Sequence, residues 1–161
     1  PVLIGKANSP VLNVEIEAEG ALEPKKVKAI QFAIVEGVDE IEQLHLGGRS
    51  IKVAGEVTFE VDLSLEAGTN LLTLGCDLKP NADIDGHVRA ICTGVLIEGG
   101  LVIKPEAAAG NRRKVGFALR QQGQDGVNST RIPGLATTNS GTLIAVVTEG
   151  GGICPGMLMW A

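Results

Sequence analysis

The sequence predicts an all-β fold, an antiparallel sandwich, on three observations. Apolar and polar residues alternate with a period of two in several segments. Turn signals separate those segments at short intervals. No segment carries a convincing amphipathic-helix pattern.

The elements follow in chain order. Leu12-Asn13-Val14-Glu15-Ile16-Glu17-Ala18-Glu19 alternates strictly, so one face enters a core and the acids face water. Residues 27–35 are apolar on both faces, as a central strand is, and residues 88–97 read the same way. Residues 38–44 fit a short helical turn or a strand equally well. Val57-Thr58-Phe59-Glu60-Val61-Asp62-Leu63-Ser64-Leu65 alternates again, as do Leu72, Leu74, Cys76 and Leu78. Turns are marked by Gly47-Gly48, Glu66-Ala67-Gly68-Thr69-Asn70, Lys79-Pro80-Asn81, Asp85-Gly86 and Gly99-Gly100. Alternation then stops at Glu106-Ala107-Ala108-Ala109-Gly110-Asn111 beside Pro105, which predicts a linker over 106–113. The division is therefore a sandwich over 1–105, that linker, a second β segment over 114–146 and an atypical tail over 147–161. In the second segment 115–120 reads as a strand and 121–130 as a polar loop. Residues 132–137 and 142–147 flank the turn Asn139-Ser140-Gly141 as a hairpin. One hairpin does not bury enough surface to be a domain, so this segment is docked on the first or begins something larger.

Composition narrows the function classes. The 161 residues are 44% hydrophobic and 20% charged, with three Phe, one Trp and no Tyr. A core is affordable but must be aliphatic. A net charge of −5, with the acids scattered along the strands, argues against nucleic acid and against a polybasic membrane contact. No stretch has the length of a membrane-spanning helix, and the given residues contain no segment that reads as a signal peptide. Cys76, Cys92 and Cys154 lack metal-ligand spacing and the only histidines are His45 and His87, so no metal and no cofactor is expected. Cys76 and Cys92 are two buried thiols or, in an oxidising compartment, a disulfide. Arg112-Arg113-Lys114 reads as a solvated basic run, with a polyanion contact as the other reading. Trp160 as a sugar platform, His45 and His87 as ligands and Gly150-Gly151-Gly152 as a phosphate loop all give way to surface or core roles.

One segment reaches a family. Asp125-Gly126-Val127-Asn128-Ser129-Thr130-Arg131-Ile132-Pro133, followed by Gly134-Leu135-Ala136-Thr137-Thr138-Asn139-Ser140-Gly141-Thr142-Leu143-Ile144-Ala145-Val146, resembles the opening of bacterial exo-sialidases (neuraminidases). In that family an Arg-Ile-Pro motif begins a six-bladed β-propeller. Upstream, Pro1-Val2-Leu3, Asn8-Ser9-Pro10-Val11-Leu12, the segment 68–80 and the segment 85–93 are similar to the domain that precedes some of these propellers. The resemblance implies a jelly-roll-like antiparallel β-sandwich, described as carbohydrate-binding or accessory, followed by a stub of the propeller. It implies sialylated glycans or the missing propeller as partners, and a secreted, periplasmic or cell-surface location.

The resemblance also implies a role for Arg131. Three arginines in the family clamp the sialic acid carboxylate, and Arg131 matches the first; a guanidinium fork fixes both position and orientation of a carboxylate. The rest of the machinery is a Tyr nucleophile with its Glu, an Asp acid/base and two further arginines. Sialidases thus depart from the two-carboxylate glycosidase scheme. Without a tyrosine this chain has no nucleophile, so no complete catalytic set and no ordinary hydrolysis by the chain alone are expected. The expected function is that of a non-catalytic, glycan-binding or propeller-supporting part of an exo-α-sialidase. The alternative is a structural docking module without a ligand.

The tail departs from the family, which continues with a Tyr-Asp-x-Arg loop and then Asp-Leu-x-Gly-Asp-Ile-Asp-Val-Gly. Here Gly152-Ile153-Cys154-Pro155-Gly156-Met157-Leu158-Met159-Trp160-Ala161 lacks strand alternation. Joining the third base of each codon to the first two of the next permits Asp-Leu-Pro-Gly-Asp-Val-Asp-Val-Gly. A frameshift is therefore the expected origin of the tail, against an evolved short protein.

Overall fold

A computed structural model describes residues 1–20, 24–106, 110–118, 123, 126, 129–141, 143–150 and 157–160; for 129–133, 143, 145–150 and 157–160 it describes the backbone alone. The chain forms two compact units, Pro1–Ala118 and Leu119–Ala161.

In the first unit the alternating segments are strands. They are β1 (Val2–Ile4), β2 (Ser9–Ala18), β3 (Lys26–Glu36), β4 (Ile41–Leu46), β5 (Arg49–Lys52), β6 (Glu56–Ser64), β7 (Gly68–Leu78), β8 (His87–Ile97), β9 (Leu101–Ile103) and β10 (Arg113–Phe117). One sheet has the order β1-β10-β8-β3-β6, with β9 also paired to β8; the other has the order β2-β7-β4-β5. Strands one to eight thus divide between the sheets as 1-8-3-6 and 2-7-4-5, the two interlocked Greek keys of a jelly roll. Both segments read as central strands are central. Strand β3 lies between β8 and β6, and β8 lies between β3 and the edge shared by β10 and β9.

The core lies between the sheets. Val2, Val27, Ile30 and Val88 from one sheet and Ile41, Leu44 and Leu74 from the other are fully buried. Phe32 and Phe59 meet edge to face at 6.1 Å between ring centroids. Such a pair adds about 0.5–1.5 kcal/mol beyond its area. Two of the three phenylalanines are therefore spent on the core, and the third, Phe117, is 55% exposed.

Local sequence explains the irregularities. Strand β2 slips against β7 between Pro10 and Leu12, where proline offers no N–H to the ladder. The ambiguous segment 38–44 contains both elements named for it: a 3-10 turn at Val38–Glu40 and then β4. Gly37 precedes that turn with φ +76, and a Cβ there would stand 2.2 Å from the His87 carbonyl oxygen. Gly47 and Gly48, at φ +56 and +78, close the two-residue hairpin β4–β5 as a primed turn requires.

One expectation changes. Strand β10 lies within the segment read as linker and second domain, yet it pairs with β1 in parallel and with β8 in antiparallel. The compact unit accordingly runs to Ala118, past the expected boundary at 105. Val115, 2% exposed, fills a place between β1 and β8 that its short local pattern did not reveal. Cys76 and Cys92 are both free and buried, the first of the two readings given for them. Burial pushes the Cys76 thiol up to about 12, and the Asp77 charge adds to the shift.

The second unit contains β11 (Ser129–Thr137), β12 (Leu143–Gly150) and β13 (Met157–Trp160), in the antiparallel order β11-β12-β13. The predicted hairpin is β11–β12. The tail, read as lacking strand character, supplies β13, with Met159 opposite Val146. Most of the expected 121–130 loop, together with Cys154 and the glycines at 151 and 152, lies outside the described residues.

Candidate functional site

Arg131 sits on β11 with its backbone opposite Thr148. The ladder then slips before Gly134, which faces Val146. Pro133 lies inside the slip, where a residue without an N–H interrupts regular pairing. Bulges of this kind re-aim the side chains beside them. Leu135, two residues beyond the proline, is 70% exposed.

The sandwich carries a second group of polar residues, on the outer face of the β2-β7-β4-β5 sheet. The two-residue turn brings Ser50 opposite His45, and Ser50 Oγ lies 2.8 Å from His45 Nδ1. On the other side of the ring, Nε2 stands 2.9 Å from Asp77 Oδ2 without an aligned hydrogen bond. Asp77 Oδ1 accepts the Asn8 N–H at 2.6 Å. Asn8 is the one described non-glycine residue with positive φ, at +51. Gly75 makes room for it, since a Cβ there would meet Asn8 Oδ1 at 1.9 Å. Beside this chain, Thr73 donates to Asn13 Oδ1 at 3.0 Å. A recess of about 110 Å³ opens between Asn8, His45, Arg49 and Thr73.

The Ser-His-Asp order invites comparison with a nucleophilic triad. A working triad needs the acid hydrogen-bonded to the imidazole so that ring and tautomer are fixed. Here that bond is unaligned and Nδ1 faces the serine. The arrangement instead offers a row of hydroxyl, amide and imidazole groups for hydrogen bonding. The His45 side chain, expected at the surface or in the core, is 18% exposed. The Gly47-Gly48 turn could have paired it with Ser50; nothing local pointed to Asp77 or Asn8.

The basic run at 112–114 is committed to structure. Arg112 forms a forked contact with Glu36, with Nε 2.8 Å from Oε2. This holds the Glu36 carboxyl below its ordinary range and raises the guanidinium. Arg113 Nε donates to the Val11 carbonyl at 3.2 Å, and Lys114 Nζ stands 3.6 Å from Asp85. Three successive cations thereby fasten β10 to β2, β3 and the turn before β8, which leaves little for a polyanion. His87 pairs across the sheet with Lys114. Among the described residues no three His, Cys, Asp or Glu side chains could hold a metal, and no helix is long and apolar enough to cross a membrane.

A groove of about 660 Å³ runs beside β2. Six consecutive residues, 12–17, line one side and residues 103–106 the other, over Cys92 and Val95 of β8. Alternate residues of a strand face opposite ways, so an unbroken run of six identifies a strand edge rather than a sheet face.

No family model matches the chain. Among solved structures, the Hadza microbial sialidase Hz136 shares the fold with a TM-score of 0.70 at 20% identity, over 92% of this chain and 36% of that one. The jelly roll and its neighbour define an all-β fold. In sequence it is similar to a sialidase of Bacteroides fragilis (strain YCH46), 29% identical over 92 residues, or 56% of this chain. The likeness is thus to bacterial sialidases, and the chain spans 17% of that relative's length.

Proposed function

We propose that this chain is the N-terminal part of an exo-α-sialidase that, at full length, removes terminal sialic acids from glycoconjugates. Its jelly roll is a non-catalytic support for the catalytic propeller, and β11–β12–β13 begins that propeller. The observation that carries this reading is the Arg131-Ile132-Pro133 motif on a strand interrupted by a bulge, in a chain similar to sialidases. Arg131 is proposed as one of three arginines that grip the sialic acid carboxylate. Its partners and the tyrosine nucleophile would come from sequence beyond this chain, which has no Tyr. The tail over 147–161 is proposed as a frameshift product, tested by the nucleotide sequence after the Val146 codon. The proposed location is secreted, periplasmic or cell-surface.

The supporting role is favoured over sugar binding by the fate of the aromatics. Sugar platforms use exposed rings; Phe32 and Phe59 are buried, and Phe117 is the one exposed phenylalanine, on β10 of the other sheet from the polar face. Glycan binding remains the second reading because the Asn13, Thr73, His45 and Ser50 face offers hydrogen bonds to a polyhydroxylated ligand. Two titrations separate the readings: the chain with sialyllactose, and the chain with the Bacteroides fragilis sialidase trimmed of its matching region. Association with the trimmed enzyme and no heat from the sugar is the expected result. Saturable sugar binding abolished by His45→Ala would transfer the role to the polar face. Failure of both titrations would sink both readings.

A further inference from the structure

We propose that the groove beside β2 receives an extended basic segment of a separate polypeptide as an added strand. This inference stands apart from the sialidase reading. Among the described residues strand β2 pairs with β7 alone, so along its other side every second residue directs its N–H and C=O outward. At the start of that edge Arg113 occupies the Val11 carbonyl. From Leu12 onward no backbone hydrogen bond among the described residues reaches the groove side. The open stretch of six residues is about 20 Å long, the length of an ordinary strand.

The opposite wall is built from chain, too. Residues 103–106 continue from β9, and a second recess of about 240 Å³ prolongs the groove past Ile16 and Ala18 to Leu101 and Ile97. Leu101 and Ile103 are 62% and 46% exposed, an apolar pair at a strand edge without a described cover. Between the walls lies apolar floor from Val95. A strand laid here would bond to β2 with its backbone and place alternate side chains on that floor, which is the geometry of β-augmentation.

Charge selects the occupant. Glu15, Glu17, Glu19 and Glu106 border the two recesses, against Lys25 and Lys104. A second copy is disfavoured, since each chain carries −5 and β2 edges meeting antiparallel would bring the Glu15 and Glu17 rows together. A segment with apolar residues at alternate positions and Lys or Arg between them satisfies both floor and rim.

The test uses the whole chain and a nine-residue peptide alternating lysine and valine. Titration calorimetry is combined with amide chemical-shift mapping. Saturable binding is expected, with shifts at residues 12–17 and 103–106 and weakening as salt rises. A peptide of the same charge with N-methylated valines, which cannot donate to β2, should bind at least about tenfold more weakly, as should Glu15→Lys/Glu17→Lys protein. These are surface residues, so the fold is checked by its unchanged melting curve. Ile103→Glu, on the facing wall, should also reduce binding if the groove is the site. Equal affinity for the N-methylated peptide, shifts confined to another surface, or no saturable binding would overturn the proposal. Self-association of the chain through β2, seen by sedimentation and lost in Glu15→Lys/Glu17→Lys, would likewise overturn it in favour of a second copy.

Discussion

At the scale of single residues, the polar chain on the sandwich depends on one missing methyl group. Gly75 leaves room for Asn8 Oδ1, and Asn8 in turn presents its N–H to Asp77. Gly75→Ala is predicted to destabilise the fold by about 1–3 kcal/mol, as overpacking does. The cost should shrink in an Asn8→Gly background, because glycine removes the clashing side chain and tolerates φ +51. Urea unfolding of the two single variants and the double variant measures that coupling, and full additivity would refute it. Cys76 makes a second residue-scale prediction. Its folded-state pKa, about 12, lies above the ordinary value of 9.0. Between those values the unfolded thiol ionises while the native one keeps its proton. Stability is therefore unaffected below about pH 9 and falls as pH rises from 9 towards 12, with a limiting slope of about 1.4 kcal/mol per pH unit. Cys76→Ala should flatten the alkaline limb of a stability–pH curve measured by urea unfolding. Tyrosine ionisation cannot obscure the result, since the chain has none.

At the scale of elements, β10 decides where the sandwich ends. Two kinds of interaction fasten it, and their magnitudes differ. The Arg112–Glu36 pair is on the surface, where screening and side-chain entropy offset most of an ion pair's attraction. Val115 is buried between β1 and β8. Val115→Ala should therefore cost about 1–3 kcal/mol and speed hydrogen exchange along β1 and β10. Arg112→Ala should cost less than half as much. If the charge variant proved the more damaging in chemical denaturation, the assignment of β10 as an apolar anchor would be wrong. The same comparison explains what could be read beforehand. Strands β2, β6 and β7 alternate over many residues, and each pattern has one solution. Strand β10 has five residues and a glycine, beside an arginine pair that looks like a linker. Its partner strands lie more than a hundred residues and about thirty residues away, a distance no local pattern encodes.

At the scale of the whole molecule, the first unit owns a contiguous core drawn from both sheets. A fragment of residues 1–118 is predicted to unfold cooperatively and close to the melting temperature of the complete chain. One of residues 1–105, cut at the boundary the sequence suggested, lacks β10 and should melt well below it or fail to fold. Calorimetry of the two fragments decides between these boundaries. The second unit, with three described strands, is not expected to fold as an isolated peptide, because so few strands bury too little surface.

The sequence by itself determined the all-β class, the places of most strands and turns, and the likeness to sialidases. It could do so because side-chain alternation is local and because the stretch around Arg131-Ile132-Pro133 is continuous in the chain. The tertiary structure decided the pairing. It inserted β10 between β1 and β8, left Cys76 and Cys92 as free thiols, and brought Asn8 and His45 to the two oxygens of Asp77. Among the described residues it also gave β2 no partner besides β7. These outcomes depend on which backbones meet and which glycines permit close approach, and both are set by the packing of distant segments rather than by the order of residues within any one of them.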